Sequence, residues 1–390
     1  MKKILLASTA LVAFAGAAAA NDNISLSGSA TMAVIGGDAD FSASARDMNG
    51  DKQSAKASLT TPTQFFQDVD VSFAMSSETD GGLVFGTKVD LDEAGKLGSP
   101  FSNQGVAVYV KGEFGTVTLG DTDSALDAVL LDGDELAGGL GSINDANTSH
   151  LGFNGDYLVS ANGDGQRLSY AYTWEGFTGV VSFEQGPTGA NGEVLDGDDD
   201  QTWSVGVGYD YDFGSGSAIF GLGYTNADNG AIQFGQDESD NVSFFTGQSD
   251  SVFYALEGEA DAWGISAAVE MENGFSGGVT YVSYDFSDYK DGSLDYVALG
   301  AAYTWEEFGI GINYGQYSND DVDWKGWGLA MAYDLGGGLE VQAGYGSSDA
   351  SIEGISGMYD SDGDDVADAD FTNGKLDIDS NVWSLGLSMS

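Results

Sequence analysis

The sequence predicts an all-β chain, a transmembrane antiparallel β-barrel of about sixteen strands with short turns on one rim and long loops on the other. Three observations predict it. Apolar residues recur on every second position, with Gly, Ser, Ala, Thr, Asn and Asp between them. Short turns rich in Gly, Asp and Asn alternate without exception with long acidic connections. Beyond the N-terminal leader no run reaches the ~18 apolar residues of a membrane-spanning helix.

The leader comes first. Lys2 and Lys3 precede the apolar stretch 4–17, and Ala18, Ala19 and Ala20 supply a small-residue cleavage site. This is the pattern of a cleaved secretory signal over 1–20, leaving 21–390 as a single barrel domain. A strand near 23–35 follows, then hairpins at 68–91, 105–120, 167–184, 201–225, 260–286, 295–317 and 325–347, and a last strand at 381–389. The connections at 36–66, 92–104, 121–166, 185–200, 226–259, 287–294, 318–324 and 348–379 read as loops. An even strand count puts both chain ends on the short-turn rim, which is then the periplasmic one.

The faces follow from period two. In 301–317, Tyr303, Trp305, Phe308, Ile310, Ile312 and Tyr314 share one face, and Ala302, Thr304, Gly309, Gly311 and Asn313 the other. Trp203, Val205 and Val207 repeat the pattern, as do Trp327, Leu329 and Met331. Aromatic residues gather beside the short turns, as at an interfacial girdle. A soluble sandwich would turn the apolar face inward, but 370 residues make a very long sandwich with an unusually Gly-rich polar face. Closure removes the unpaired sheet edges that lipid forbids. The apolar face is therefore for lipid, the small face for water, and the place is the bacterial outer membrane.

Losing Lys2 and Lys3 with the leader takes the formal net charge from −50 to −52. Such a chain attracts cations and lacks the basic patch that nucleic acid requires. With 59 Gly and only 3 Pro among many aromatics, it does not read as disordered. It has no Cys, so disulfides and thiol chemistry are excluded.

A pore selects by its diameter and by the charges that line it. By alternation Asp68, Asp70, Lys88, Asp90, Lys111, Arg167 and Glu270 point inward, with Lys111 at the short-turn mouth. Asp360, Asp362, Asp364 and Asp368 alternate around Gly363 in DSDGDDVADAD and could offer Ca²⁺ several oxygens from one turn, though the spacing is not that of an EF-hand. The plainer reading is a solvated acidic loop. No cofactor is required.

The runs SLSGSATM (25–32), SSETDGGLVFGTKVDLDEAG (76–95) and VYVKGEFGTVTLGDTDSALD (108–127), with the strand–turn rhythm that follows, resemble the alphaproteobacterial, Rhodobacter-type porins. The resemblance implies a sixteen-stranded homotrimer that passes small hydrophilic solutes by diffusion, set among lipid and lipopolysaccharide. It also implies a third loop folded into the pore, matched here from Gly120 and Asp121 onward. That loop would carry Asp121, Asp123, Asp127, Asp132, Asp134 and Glu135 into the lumen, with Lys88 and Arg167 as basic partners. The expected channel is cation-selective. Two departures stand out. Many relatives carry inward arginines where this chain has Asp68 and Asp70. Porins also usually end in an aromatic residue that the barrel-assembly machinery reads, whereas this chain ends in Leu387, Ser388, Met389 and Ser390.

Two other readings remain. Tyr109, Tyr284 and Tyr296 also point inward and could stack on sugars, which would make a substrate-selective channel. A secreted calcium-binding adhesin would explain the acidic loops, but the chain lacks tandem GGxGxD repeats. An enzyme is not expected. His150, the only histidine, has Ser149 beside it, but sequence neighbours rarely face one another and no G-x-S-x-G turn occurs.

Overall fold

The computed structural model describes residues 24–46, 51–93, 101–138, 140, 150, 152, 159–160, 166–185, 201–234, 254–287, 292–359 and 369–390. The leader and all four aspartates of the 360–368 run lie outside them. Strands in chain order are β1 (Ile24–Arg46), β2 (Lys52–Glu78), β3 (Val84–Glu93), β4 (Phe101–Gly112), β5 (Gly115–Gly120), the two-residue β6 (Val159–Ser160), β7 (Arg167–Trp174), β8 (Phe177–Gln185) and β9 (Gln201–Asp212). They continue as β10 (Gly216–Phe234), β11 (Tyr254–Met271), β12 (Phe275–Phe286), β13 (Ser293–Trp305), β14 (Phe308–Ser318), β15 (Val322–Gly336), β16 (Leu339–Tyr359) and β17 (Ala369–Met389). Each wall strand pairs antiparallel with its neighbours in sequence, and β5 pairs with β7. β1 pairs with β17, so the sheet closes on itself with sixteen strands in the wall. β6 stands outside the ring, bridging Gly230 and Ala231 of β10.

The short turns close as their sequences require. Trp305 pairs with Phe308 around Glu306, which takes φ 53°, and Gly82, Gly176 and Gly274 take φ of 83°, 87° and 90°. Such left-handed positions suit glycine and match the twist of tight hairpins.

The outer face carries two aromatic tiers. On the short-turn side Trp305 stacks on Phe308 at 5.6 Å, and Phe308 meets Tyr333 at 4.6 Å. Nearer the loops Trp263 meets Tyr281 at 5.4 Å, and Trp327 meets Tyr345 at 5.4 Å. The upper phenols donate towards the loops: Tyr281 to Asp295 (2.8 Å), Tyr314 to Gln316 (2.8 Å) and Tyr345 to Asn381 (2.6 Å). A ring in hydrocarbon and a hydroxyl in water is the posture of an interfacial aromatic. Between the tiers lie exposed Leu222, Ile265, Ile312 and Met331. Ile312→Arg should therefore lower the free energy of folding into lipid vesicles by about 2–4 kcal/mol. A loss under ~1 kcal/mol in a urea titration would mean this face is wet.

Several strands run further than the sequence suggests. The described residues of the segments read as loops at 36–66, 226–259 and 348–379 are nearly all strand, through Arg46 and from Lys52, through Phe234 and from Tyr254, and through Tyr359 and from Ala369. Above the apolar belt the outer face meets water, so the amphipathic signal ends while the sheet continues. Its outer surface there carries ion pairs, with Lys325 at 3.0 Å from Asp323 and 3.3 Å from Asp349, and Lys375 at 3.0 Å from Glu353 and 3.2 Å from Asp377.

Candidate functional site: the loop-lined constriction

One hydrogen-bonded row of the sheet sets the charged tier of the lumen. Lys88 pairs with Ala107, Ala107 with Gly120, Gly120 with Arg167, and Arg167 with Glu184. The third loop leaves the wall at Gly120 in that row. Asp121 keeps one more hydrogen bond to β4, its N–H donating to Val106 O at 3.0 Å. Its carboxylate lies so close over Gly105 that a Cβ there would stand 2.7 Å from Oδ2.

The loop then turns into the barrel and runs along the inner wall. Ala125 N–H donates to Ser182 Oγ (3.0 Å) and Ser204 Oγ (2.8 Å), and Thr280 Oγ1 donates to Leu131 O (2.5 Å). Leu126, Leu130, Leu131 and Leu136 are buried between loop and wall. Along β8–β15 the small inward face thus serves the loop, not water alone.

Arg167 is the hub of the entry. Its Nη2 lies 2.6 Å and its Nε 3.1 Å from Glu184 Oε2, and its Nη1 donates to Thr122 O. The pair is nearly closed off from solvent, with the Glu184 side chain 4% exposed. Alternation on β8 points Glu184 inward as surely as alternation on β7 does Arg167, so the period-two pattern holds the signal for this partner too.

Asp123 lies half-buried beside this pair. Burial pushes its carboxyl up to about 6, with Asp127 and Asp121 adding to the rise and Arg167 and Lys88 opposing it. Asp127 accepts from Ser124 Oγ at 2.5 Å and folds back through its own N–H to the same oxygen at 3.2 Å. Further along the same row Lys88 pairs with Asp90 at 2.7 Å, and Ser72 Oγ also donates to Asp90.

The remaining expected residues divide. Asp70 accepts from Ser29 Oγ at 2.9 Å on the inner wall of β2, and Asp68 occupies the inward position two residues earlier, paired with Thr31. Lys111 is exposed at the short-turn rim, and Glu270 sits half-buried on β11 between Ser217 and Ser276. Asp132 and Glu135 cap the one-turn helix Gly133–Leu136, with Asp132 N–H at 3.3 Å from Glu135 Oε2 and Glu135 N–H at 3.0 Å from Asp132 Oδ1. That reciprocal arrangement is a capping box, so these two carboxylates hold the loop's shape. The Asp134 side chain lies outside the described residues.

The tyrosines offer no sugar platform. Tyr109, Tyr284 and Tyr296 do face inward, but they are 4%, 1% and 0% exposed. Tyr296 packs on Tyr317 at 4.4 Å within an inner cluster that includes Trp324, Phe286, Leu294 and Ile378. Alternation gives a residue's face, not what is packed against that face. His150 is also structural. Its Nδ1 accepts from Gly152 N–H at 3.1 Å and its Nε2 faces Asn313 Oδ1 at 3.2 Å. Burial pushes the imidazole down to about 4, the Asn313 hydrogen bond opposing, so it is neutral at ordinary pH.

The comparisons agree with this geometry. The family described as "Gram-negative porin" matches residues 7–353. A porin of Rhodobacter capsulatus is 27% identical over 284 residues, covering 72% of this chain and 86% of that protein. A porin structure refined at 1.8 Å covers 94% of this chain and 99% of its own, at 20% identity and a TM-score of 0.53. A mutant of Rh. blastica porin covers the same shares at 16% identity and a TM-score of 0.52. A family match over most of the sequence, on a closed sixteen-strand wall with an inserted third loop, means that the chain belongs to the Gram-negative porins and forms a channel in the outer membrane.

Proposed function

We propose that this porin is a passive, cation-selective diffusion channel that performs no chemistry on its solutes. One observation carries the reading: among the described residues at the loop's entry, Asp90, Asp121, Asp123, Asp127 and Glu184 stand around two cations, Lys88 and Arg167. A narrow lumen with excess negative charge raises the local cation concentration and repels anions.

The same reading makes the channel a homotrimer. Residues 21–108 contain no Tyr or Trp, so the exposed outer aromatics of β2 and β3, such as Phe65, Phe73 and Phe85, are all Phe and carry no polar group for an interface. Outer positions there are filled by residues such as Ile24, Leu26, Met32 and Phe65, the last 93% exposed. An arc without Tyr or Trp anchors suits a neighbouring subunit better than a lipid boundary. The rest of the outer wall suits lipid and lipopolysaccharide, and the barrel-assembly machinery would insert it. The acidic run at 360–368 is proposed to take Ca²⁺, with hard-cation chemistry as its support.

The test is planar-bilayer recording of the purified mature protein under a potassium chloride gradient. Large ohmic steps, a potassium-signed reversal potential and closure in threes are expected. A chloride-signed potential rejects the selectivity, and single independent steps reject the trimer. Calcium should raise the temperature at which the folded form is lost on gels; an unchanged temperature removes that site.

A further inference from the structure

We propose that Asn313, flanked by glycines of β14, sets the width of the pore by stitching both legs of the third loop to the wall. Asn313 is 3% exposed and points inward. Its Nδ2 donates to Gly133 O on the outgoing leg at 3.3 Å. Its Oδ1 faces His150 Nε2 on the returning leg at 3.2 Å. Because His150 Nδ1 accepts from Gly152 N–H, Nε2 carries the proton and donates to Asn313. Tyr296 OH, on the adjacent β13, donates to Gly152 O at 3.2 Å and pins the same leg. One amide side chain thus uses its donor and its acceptor on segments far apart in the loop.

The inward neighbours of Asn313 on β14 leave room for both legs. A Cβ on Gly311 would stand 2.8 Å from Ala137 O, and one on Gly315 would strike Gly152 O outright. Real Cβ atoms essentially never approach so closely. The stretch Gly311-Ile312-Asn313-Tyr314-Gly315 therefore presents a notch, a peg and a notch to the lumen while Ile312 and Tyr314 face out. Similar notches continue around the wall: a Cβ on Gly278 would stand 2.6 Å from Leu136 Cδ2, and one on Gly264 2.5 Å from Leu130 Cδ1. How deep the loop seats in them fixes how much of the lumen stays open. Asn313 is a positioning residue for permeation, whatever the sign of the selectivity.

Asn313→Leu keeps the bulk and removes both hydrogen bonds, Asn313→Asp removes only the donor to Gly133, and Gly315→Ala fills a notch. Each should keep the heat-modifiable barrel on gels and show a larger single-channel conductance. Each should also lose the parental size cut-off in liposome swelling with a series of sugars, Asn313→Asp least. A covalent rescue separates positioning from general loosening. The Cβ positions of Gly311 and Ala137 are 3.6 Å apart, within disulfide range, and the chain has no other Cys. In the Asn313→Leu background, Ala137→Cys with Gly311→Cys should bring the cut-off back towards the parental value when oxidised, short of it by the shift that the added Cβ forces against Ala137 O, and widen it again when reduced. Folded variants with parental conductance and cut-off overturn the proposal. So does a cross-linked protein whose oxidised and reduced forms conduct alike.

Discussion

Arg167→Met is expected to lower stability by about 3–5 kcal/mol, because it strips the guanidinium from a carboxylate buried behind the loop. The Glu184 side chain is 4% exposed and has its guanidinium partner at 2.6 Å. Water cannot take over that hydrogen bonding without opening the wall–loop junction, where Arg167 also holds Thr122 O. Adding Glu184→Leu to Arg167→Met should recover most of the loss, since an apolar pair of similar volume carries no desolvation penalty. Urea titrations of folding into lipid vesicles, run as a double-mutant cycle, measure both effects. A single variant within ~1 kcal/mol of the parent would mean that solvent already reaches the pair.

The second large effect is on selectivity. Asp123 is ionised above about 6 and neutral below it. Lowering the pH through that value should remove one negative charge from the charged tier beside Arg167, and the potassium preference should step down there. Ordinary solvated carboxylates would place such a step near ~4. Asp123→Asn should begin with the weaker preference and show no step around 6. An unchanged step in that variant would assign the titration to another group. Stability changes in the opposite sense to that of a salt-bridged aspartate. The folded protein holds the Asp123 proton up to about 6, whereas the unfolded chain releases it near ~3.9. The contribution of Asp123 is therefore fully present below ~3.9 and is lost as the pH rises to about 6.

The wall was legible because lipid and water impose opposite demands on alternate residues. Trp327, Leu329 and Met331 could belong only to an outer face, and the short turns fixed the strand count. Legibility ended where that contrast ended. Asp38 and Asp40 face outward on β1 above the belt, amid Ala and Ser that give no period-two signal, so the strand reads as loop. The site was half legible. Arg167, Lys88, Asp90, Asp121, Asp123 and Asp127 do come to one tier. Asp132 and Glu135 were read as lumen charges, although D-x-x-E is also a helix-start pattern and serves as one here. Asn313 and its glycines were assigned correctly to the inner face, but a face assignment cannot distinguish water from an inserted loop. A usable hint was present nonetheless: inward glycines are dense on β9–β15, whereas β1 and β2 place Ser25, Ser27, Ser29 and Ser72 at equivalent positions.

The docking of the third loop bears on how such a ring can be assembled. Among the described residues the wall partners of the loop run from β4 to β15, while the seam that completes the ring joins β1 to β17. The seat for the loop is therefore complete on an open, still unclosed sheet. Nothing has to be threaded through a finished hoop. The constriction can be laid down first and the cylinder zipped shut around it, so that the last step joins two strands to which none of these loop contacts is made.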